Sequence, residues 1–447
     1  MIAVGAGLRL YNLDFQSLWY DELHSIIPTA SENSFSSIIE YCKTDQPPAY
    51  FLFLHYAFKV LPYDAIGARL LSVFLGILSI PVLFLLGREF GNERSGLCAA
   101  LLTTVNYFHI YYSQEARFYS MAFLFSALSY LFFIRAFKHR KPVDFRFYVI
   151  CTAILLYTHY YGLVIFAVQS ISFLLLVIFY DRNRRLLIWG LASGIIIAVC
   201  FIPWMKVITS ELGVSTFWTK SPTVFFLPEY FYNYFGKDIL VTVILVFFSF
   251  LFFKSWLAAV ETDADKRLLY IILLQWLFFS YLIPFVKSLI GVPVLHIRYT
   301  IITLPAWIIL FSIGWGVIKY QKLKYILIFC ISLSSIVNLV LIRKHYTKVQ
   351  KQQFREASQL VISKNTLRYP VCSEFAWHYN FYFRDSPVQV NAFQATDLSK
   401  VDRFWLLQAE FFSPSEKDEE LKKYNENFEA AEYYTFYKTR AVLMIKK

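Results

Sequence analysis

The sequence predicts a polytopic α-helical membrane protein, and three observations carry that prediction. Hydrophobic residues make up 57% of the 447 residues and charged residues only 17%, far from the average soluble domain. Apolar runs free of Asp, Glu, Lys and Arg recur along most of the chain. The breaks between these runs alternate between rich and poor in Lys and Arg, the pattern by which membrane proteins mark their cytoplasmic side. A net charge of +12 carried in such breaks is a topology signal and excludes a nucleic-acid surface.

Taken in order, the chain opens on the apolar stretch Met1–Leu8, too short to span and without a basic leader. It is expected to be the end of a first span that begins upstream. Residues 11–69 then form a long first outer loop carrying Asp21, Glu22 and Asp45. Inside it, "QPPAYFLFLHYAFKV" is aromatic and amphipathic, as suits an interfacial helix with Pro47 and Pro48 in its first turn. Apolar runs follow at Leu70–Gly87, Ser95–Ser113, Phe118–Ile134, Leu186–Met205, Ile239–Phe253, Leu268–Val286, Tyr299–Ile318 and Tyr325–Ile342. Most approach the roughly 20 residues that cross the hydrocarbon core. The run Phe147–Tyr180, at 34 residues, is too long for one span and is expected to break at "THYYG", residues 158–162.

The breaks at 88–94, 135–146, 181–185, 254–267 and 319–324 hold sixteen Lys or Arg, against six in those at 114–117, 159–160, 206–238 and 287–298. The first set is therefore cytoplasmic. This gives about eleven spans counting the truncated one, an inner N-terminus, and everything beyond residue 343 outside. The transmembrane module is residues 1–343. Residues 344–447 regain Lys, Glu, Gln and Asp and form a small extracytoplasmic α/β domain. In it "QQFREASQLVI" reads as a helix, "RFWLLQAEF" as a strand, "EKDEELKKYNENF" as a solvated helix and "EYYTFYKTRAVLMIKK" as a strand pair. The six cysteines show no CxxC or Cys/His spacing. They read as packing residues, with a Cys42–Cys372 disulfide the less favoured alternative.

Polar residues distant in sequence fall at one membrane face in this scheme. "YYSQEARFY" sets Gln114, Glu115, Arg117 and Tyr119 at one outer turn, His159 sits at another, "HIRY" sets His296, Arg298 and Tyr299 at a third, and Arg69 enters its span from outside. Ionisable groups at that depth are costly unless paired or facing an aqueous cavity, so a shared site is the economical reading. The bland readings are a helix cap for Asp21, Glu22 and Asp45, snorkelling for the arginines and hydrogen-bonded structural roles for His159 and His296. Too few His, Cys and carboxylates cluster to argue for a metal.

The segments "GLRLYNLDFQSLWYDELHS", "DQPPAYFLFLHYAF", "GARLLSVFLGILSIPVLFLLGREFG", "YYSQEARFYSMAFL", "YTHYYG" and "HIRYTIITLPA" occur in this order. Over residues 1 to about 320 the chain thereby resembles C-type membrane glycosyltransferases, in the bacterial branch of the protein O-mannosyltransferase and lipid A aminoarabinose transferase superfamily. The resemblance implies transfer of a sugar from a polyprenyl-phosphate carrier to a lipid, glycan or protein acceptor at the outer face of the plasma membrane. It implies Asp21 as the catalytic base, with Glu22 beside it and paired with Arg69. It also implies that Asp45 lines the site, although Gln46 stands where relatives carry a lysine. Such an inverting transfer needs a base on the acceptor hydroxyl and cations on the leaving phosphate. Arg69, Arg117 and Arg298 are the candidate cations, and Tyr119, His159 and Tyr299 complete the candidate donor site. The sequence shows no required cofactor, and it leaves a divalent metal undetermined. The alternative class is a transporter or flippase of a lipid-linked sugar, which would show midplane charges, broken helices and related halves. The sequence has no evident internal repeat and almost no charge inside its apolar runs.

Overall fold

A computed structural model describes residues 1–447 except 45, 182, 212–218, 393–400, 411, 412, 414 and 425. The chain divides into two compact units. The larger comprises Met1–Tyr11, Asn33–Ala57 and Arg69–His345; the smaller comprises Asn12–Glu32, Phe58–Ala68 and Tyr346–Lys447. Most of the first outer loop's start and end thus groups with the C-terminal region, not with the helices that it connects.

The larger unit is helical. Among the described residues, eight helices are long and apolar enough to cross a membrane: Ala65–Phe90, Tyr119–His139, Tyr161–Phe179, Arg184–Ser210, Ile239–Thr262, Ala264–Ile290, Tyr299–Val317 and Gln321–Ile342. The three other expected spans form shorter helices. Ile2–Leu10 has 9 residues and Pro142–Leu156 has 15, about 22 Å for the latter at 1.5 Å per residue. The run Ser95–Ser113 divides into Glu93–Val105 and Tyr107–Ser113. Asn106 causes the division, because its side chain accepts from the His109 N–H at 2.8 Å and so starts a new helix. The break leaves the carbonyls of Thr103 and Thr104 without helical donors, and the buried Arg9 guanidinium donates to both, at 2.9 and 3.2 Å. Arg9 also donates to His109 Nδ1 at 2.7 Å, which sets the ring proton on Nε2. The long run at 147–180 breaks where expected, between helices ending at Leu156 and starting at Tyr161.

Burial separates inner from outer helices. Tyr299–Val317 and Tyr119–His139 are 83% and 72% buried over their most apolar windows, whereas Gln321–Ile342 is 17% buried. The two most enclosed helices are the ones that begin at candidate site residues, Tyr119 and Tyr299. Tyr119–His139 packs against both Pro142–Leu156 and the turn Tyr299–Thr303, which draws the three outer turns of the sequence together.

The smaller unit carries a five-stranded sheet in the order β2-β1-β3-β5-β4, with β1 Val371–Cys372, β2 Val390–Asn391, β3 Arg403–Ala409, β4 Phe428–Phe436 and β5 Thr439–Lys446. β1 pairs in parallel with β2 and β3, and β5 runs antiparallel to β3 and β4. The expected helix is Phe354–Lys364 and the expected strand pair is β4–β5. Helix Ala376–Phe383 and the two-residue strands β1 and β2 are too short to leave a periodic signal. The helix Glu416–Lys422 is a correction: it is not solvated all round, since Lys417, Glu420 and Leu421 are buried. Gln408 on β3 donates to Glu420 at 2.8 Å, and burial pushes the Glu420 carboxyl up to about 7. Cys98, Cys151, Cys200 and Cys330 are free thiols.

Candidate functional site

In the smaller unit the segment bearing Asp21 and Glu22 is a strap wired to the C-terminal region. Its helix, Tyr20–Ile26, has Trp19 as N-cap and no side-chain capping bond, so both carboxylates sit in the first turn and neither caps it. The first turn suits negative charge, because its free N–H groups form the positive end of the helix. The bonds are spread along the strap. Asn12 donates to the Tyr346 carbonyl at 2.7 Å and Gln16 to that of Lys348 at 2.8 Å. Arg355 donates to the carbonyls of Asp14 and Phe15 at 2.9 and 3.0 Å. The Leu18 N–H donates to the Tyr382 hydroxyl, and the Tyr20 N–H to the Gln352 side chain, at 3.0 and 3.1 Å. Glu22 is fully buried, and Lys351 Nζ lies 3.3 Å from its Oε2. Asp21 is half-buried. Lys351, Gln352, Arg355 and Tyr382 escaped the sequence reading, since nothing local distinguishes a lysine or glutamine that acts more than 300 residues upstream.

In the larger unit the three outer turns meet through their rings. Tyr112 packs on Tyr119 at 4.6 Å between centroids, Tyr119 on Phe118 at 4.6 Å, Phe118 on His159 at 4.9 Å and His159 on Tyr299 at 4.9 Å. Tyr299 also meets Tyr161 at 5.7 Å and His296 at 5.6 Å. The Arg117 guanidinium lies over the Phe118 ring at 4.8 Å. The Arg117 carbonyl accepts from Ser72 at 3.2 Å, and the Ser72 hydroxyl meets that of Tyr50 at 2.9 Å. Arg69 enters on the same helix, three residues before Ser72. Arg69 is 1% and Arg117 6% exposed, so neither side chain extends away from the protein as a snorkelling arginine does. Arg298 and Glu115 are both near enough to the Tyr111 phenol for their charges to act on it.

His159 is 4% exposed and accepts from the Tyr161 N–H at Nδ1, 3.1 Å away, so its proton resides on Nε2. Burial, assisted by the Arg117 charge, pushes its pKa down to about 3. It is therefore a neutral hydrogen-bond donor among cations. The arrangement offers two arginines, a neutral imidazole N–H and tyrosine hydroxyls, a donor set suited to phosphate oxygens and sugar hydroxyls. Asp45 lies outside the described residues. No group of three or more His, Cys, Asp or Glu side chains that could hold a metal is found among the described residues.

Comparison with known proteins bears on this arrangement. The family described as dolichyl-phosphate-mannose-protein mannosyltransferase matches residues 45–206, which include Arg69, Arg117, Tyr119 and His159. The crystal structure of ArnT from Cupriavidus metallidurans in the apo state superposes with a TM-score of 0.66 at 12% identity, over 99% of this chain and 96% of that one. The chain shares its fold with this structure. ArnT from the same organism bound to undecaprenyl phosphate matches with a TM-score of 0.65 at 12% identity, over 99% of this chain and 97% of that one. The oligosaccharyltransferase AglB of Archaeoglobus fulgidus, in complex with an inhibitory peptide and a dolichol-phosphate, matches with a TM-score of 0.54 at 11% identity, over 99% and 73%. No curated protein sequence matches. At these identities the structures share a fold with this chain, whose chemistry rests on its own side chains.

Proposed function

We propose that the protein moves a sugar from a polyprenyl-phosphate carrier to an acceptor at the extracytoplasmic face of the membrane. The observation that carries this reading is the meeting of the three turns that bear Arg117, His159 and Tyr299, with Arg298 next to Tyr299 in the chain, in a fold whose solved members include two holding a polyprenyl phosphate. The extracytoplasmic side follows from the distribution of Lys and Arg in the breaks between apolar runs.

In the proposed reaction the acceptor hydroxyl oxygen attacks the anomeric carbon of the donor sugar as the bond from that carbon to the phosphate oxygen breaks. Asp21 takes the hydroxyl proton, and the sugar inverts. The polyprenyl phosphate departs as an anion that Arg117 and Arg298 stabilise, so no general acid is needed. Tyr119, His159 and Tyr299 orient the donor, and Arg69 and Asp45 extend its site. Glu22 holds the Asp21 turn in place through Lys351.

The test is to incubate the purified protein with labelled polyprenyl-phosphate sugars and membrane extracts. The expected result is free polyprenyl phosphate formed together with labelled acceptor. Transbilayer movement of an intact donor, with its phosphate-sugar bond unbroken, would favour a flippase instead.

A further inference from the structure

Next to Asp21, within the smaller unit, lies a cluster of rings that the proposed chemistry does not use. Tyr20 and His24 flank the carboxylates on helix Tyr20–Ile26, with ring centroids 4.4 Å apart. His378, on helix Ala376–Phe383, stacks on Tyr20 at 4.5 Å and 24° and lies 5.0 Å from His24. Trp377 meets His24 and His378 edge-on, both at 5.1 Å. Phe375 closes the side at 6.0 Å from His378 and 6.4 Å from Tyr20.

Two features set this cluster apart from ordinary core. Trp377 is 41% exposed, although an indole is among the side chains most stabilised by burial. His378 is only 6% exposed, yet neither of its ring nitrogens has a hydrogen-bond partner among the described residues. A buried polar group without a partner calls for one. Burial and the neighbouring His24 push the His378 pKa down to about 3, so the ring is neutral and offers one N–H donor and one lone pair.

A ligand for this place must present apolar C–H faces to aromatic rings and hydroxyls to a recessed imidazole edge. No Lys or Arg belongs to the cluster, and the acid beside it is Asp21, so an anionic head group is disfavoured. A neutral pyranose or furanose ring meets these requirements. We propose that Tyr20, His24, Phe375, Trp377 and His378 form a platform for a sugar ring of the acceptor, which makes the acceptor a glycan or glycolipid. Seen this way, the platform holds the acceptor on the same short helix as the base. The assignment to the acceptor rests on the transferase reading given above, while the contact with a sugar ring does not.

The experiment uses the full-length protein in detergent, with methyl glycosides and short gluco-, manno- and chito-oligosaccharides as probes. Saturation-transfer NMR should show transfer from aromatic protons to sugar ring C–H groups. The signal should vanish in Trp377→Ala, persist in part in Trp377→Phe, and weaken in His378→Phe, which keeps the ring but removes both nitrogens. In the transfer assay Trp377→Ala should raise the acceptor KM about tenfold or more, in line with the loss of one stacked aromatic, with donor affinity unchanged. Trp377→Ala indistinguishable from wild type in both assays, or a change in donor affinity alone, would overturn the proposal. Absence of sugar transfer by the wild type, with the NMR contact intact and sensitive to Trp377, would instead remove the transferase reading and leave the sugar platform standing.

Discussion

The two polar regions of this protein are built by opposite means. In the larger unit, Arg117, Tyr119, His159 and Tyr299 are brought together by rings packed at the starts of two enclosed helices and by turns whose bonds are mostly local. In the smaller unit, the Asp21 turn is held by side chains about 330 residues away, Lys351 and Gln352 among them. The contrast teaches that a cluster of arginine, histidine and tyrosine side chains can be fixed by helix packing alone. A pair of carboxylates on a short helix needs a second structure to hold it, and the C-terminal region supplies that structure.

The comparison can be broken first at the level of topology, where the outcome is all or none. Reporter fusions after Arg140, Arg185 and Lys322 should report cytoplasm, and those after Lys220 and Lys364 should report the outside. An outside signal at Arg185 would overturn the topology and end the account. A second test addresses the strap. Lys351→Met removes the lysine beside the buried Glu22 carboxylate, so unfolding should become easier by roughly 3–5 kcal/mol, as when one partner of a buried ion pair is taken away. Glu22→Gln with Lys351→Met should recover much of that loss, and thermal melts of the detergent-solubilised protein measure both. Smaller in energy is the effect expected in the other region. Arg117→Ala and Arg298→Ala should each weaken donor binding about tenfold or somewhat more, the worth of one charge-assisted hydrogen bond, with melting temperatures nearly unchanged for the half-buried Arg298. Direct binding of a labelled donor checks this.

What the sequence could show follows the same division. The apolar runs, the break at 158–162 and the placing of Arg117, His159 and Tyr299 at turns are properties of contiguous residues, so periodicity and charge reveal them. The break at Asn106 was hidden inside an uninterrupted apolar run, because a single capping side chain, backed by Arg9 from far away, decides it. The C-terminal helix and strands were legible where they are long, and Glu416–Lys422 was misread as solvated because its buried Lys417 and Glu420 look like surface residues until Glu410 and Gln408 are seen to pair with them. Lys351 as a partner of Glu22 has no local signature at all. The resemblance implies Arg69 beside Glu22, and Lys351 is a cation that the compact unit of Glu22 itself supplies.

The central claim is that Asp21 performs the proton transfer while the arginines hold the donor. The most direct test is Asp21→Asn, assayed for sugar transfer and for donor affinity in membranes with matched expression. Asparagine keeps the shape and the hydrogen-bonding capacity but removes the basic carboxylate, so turnover should fall by about 10² or more with donor binding retained. An Asp21→Asn protein that turns over at close to the wild-type rate would contradict the account.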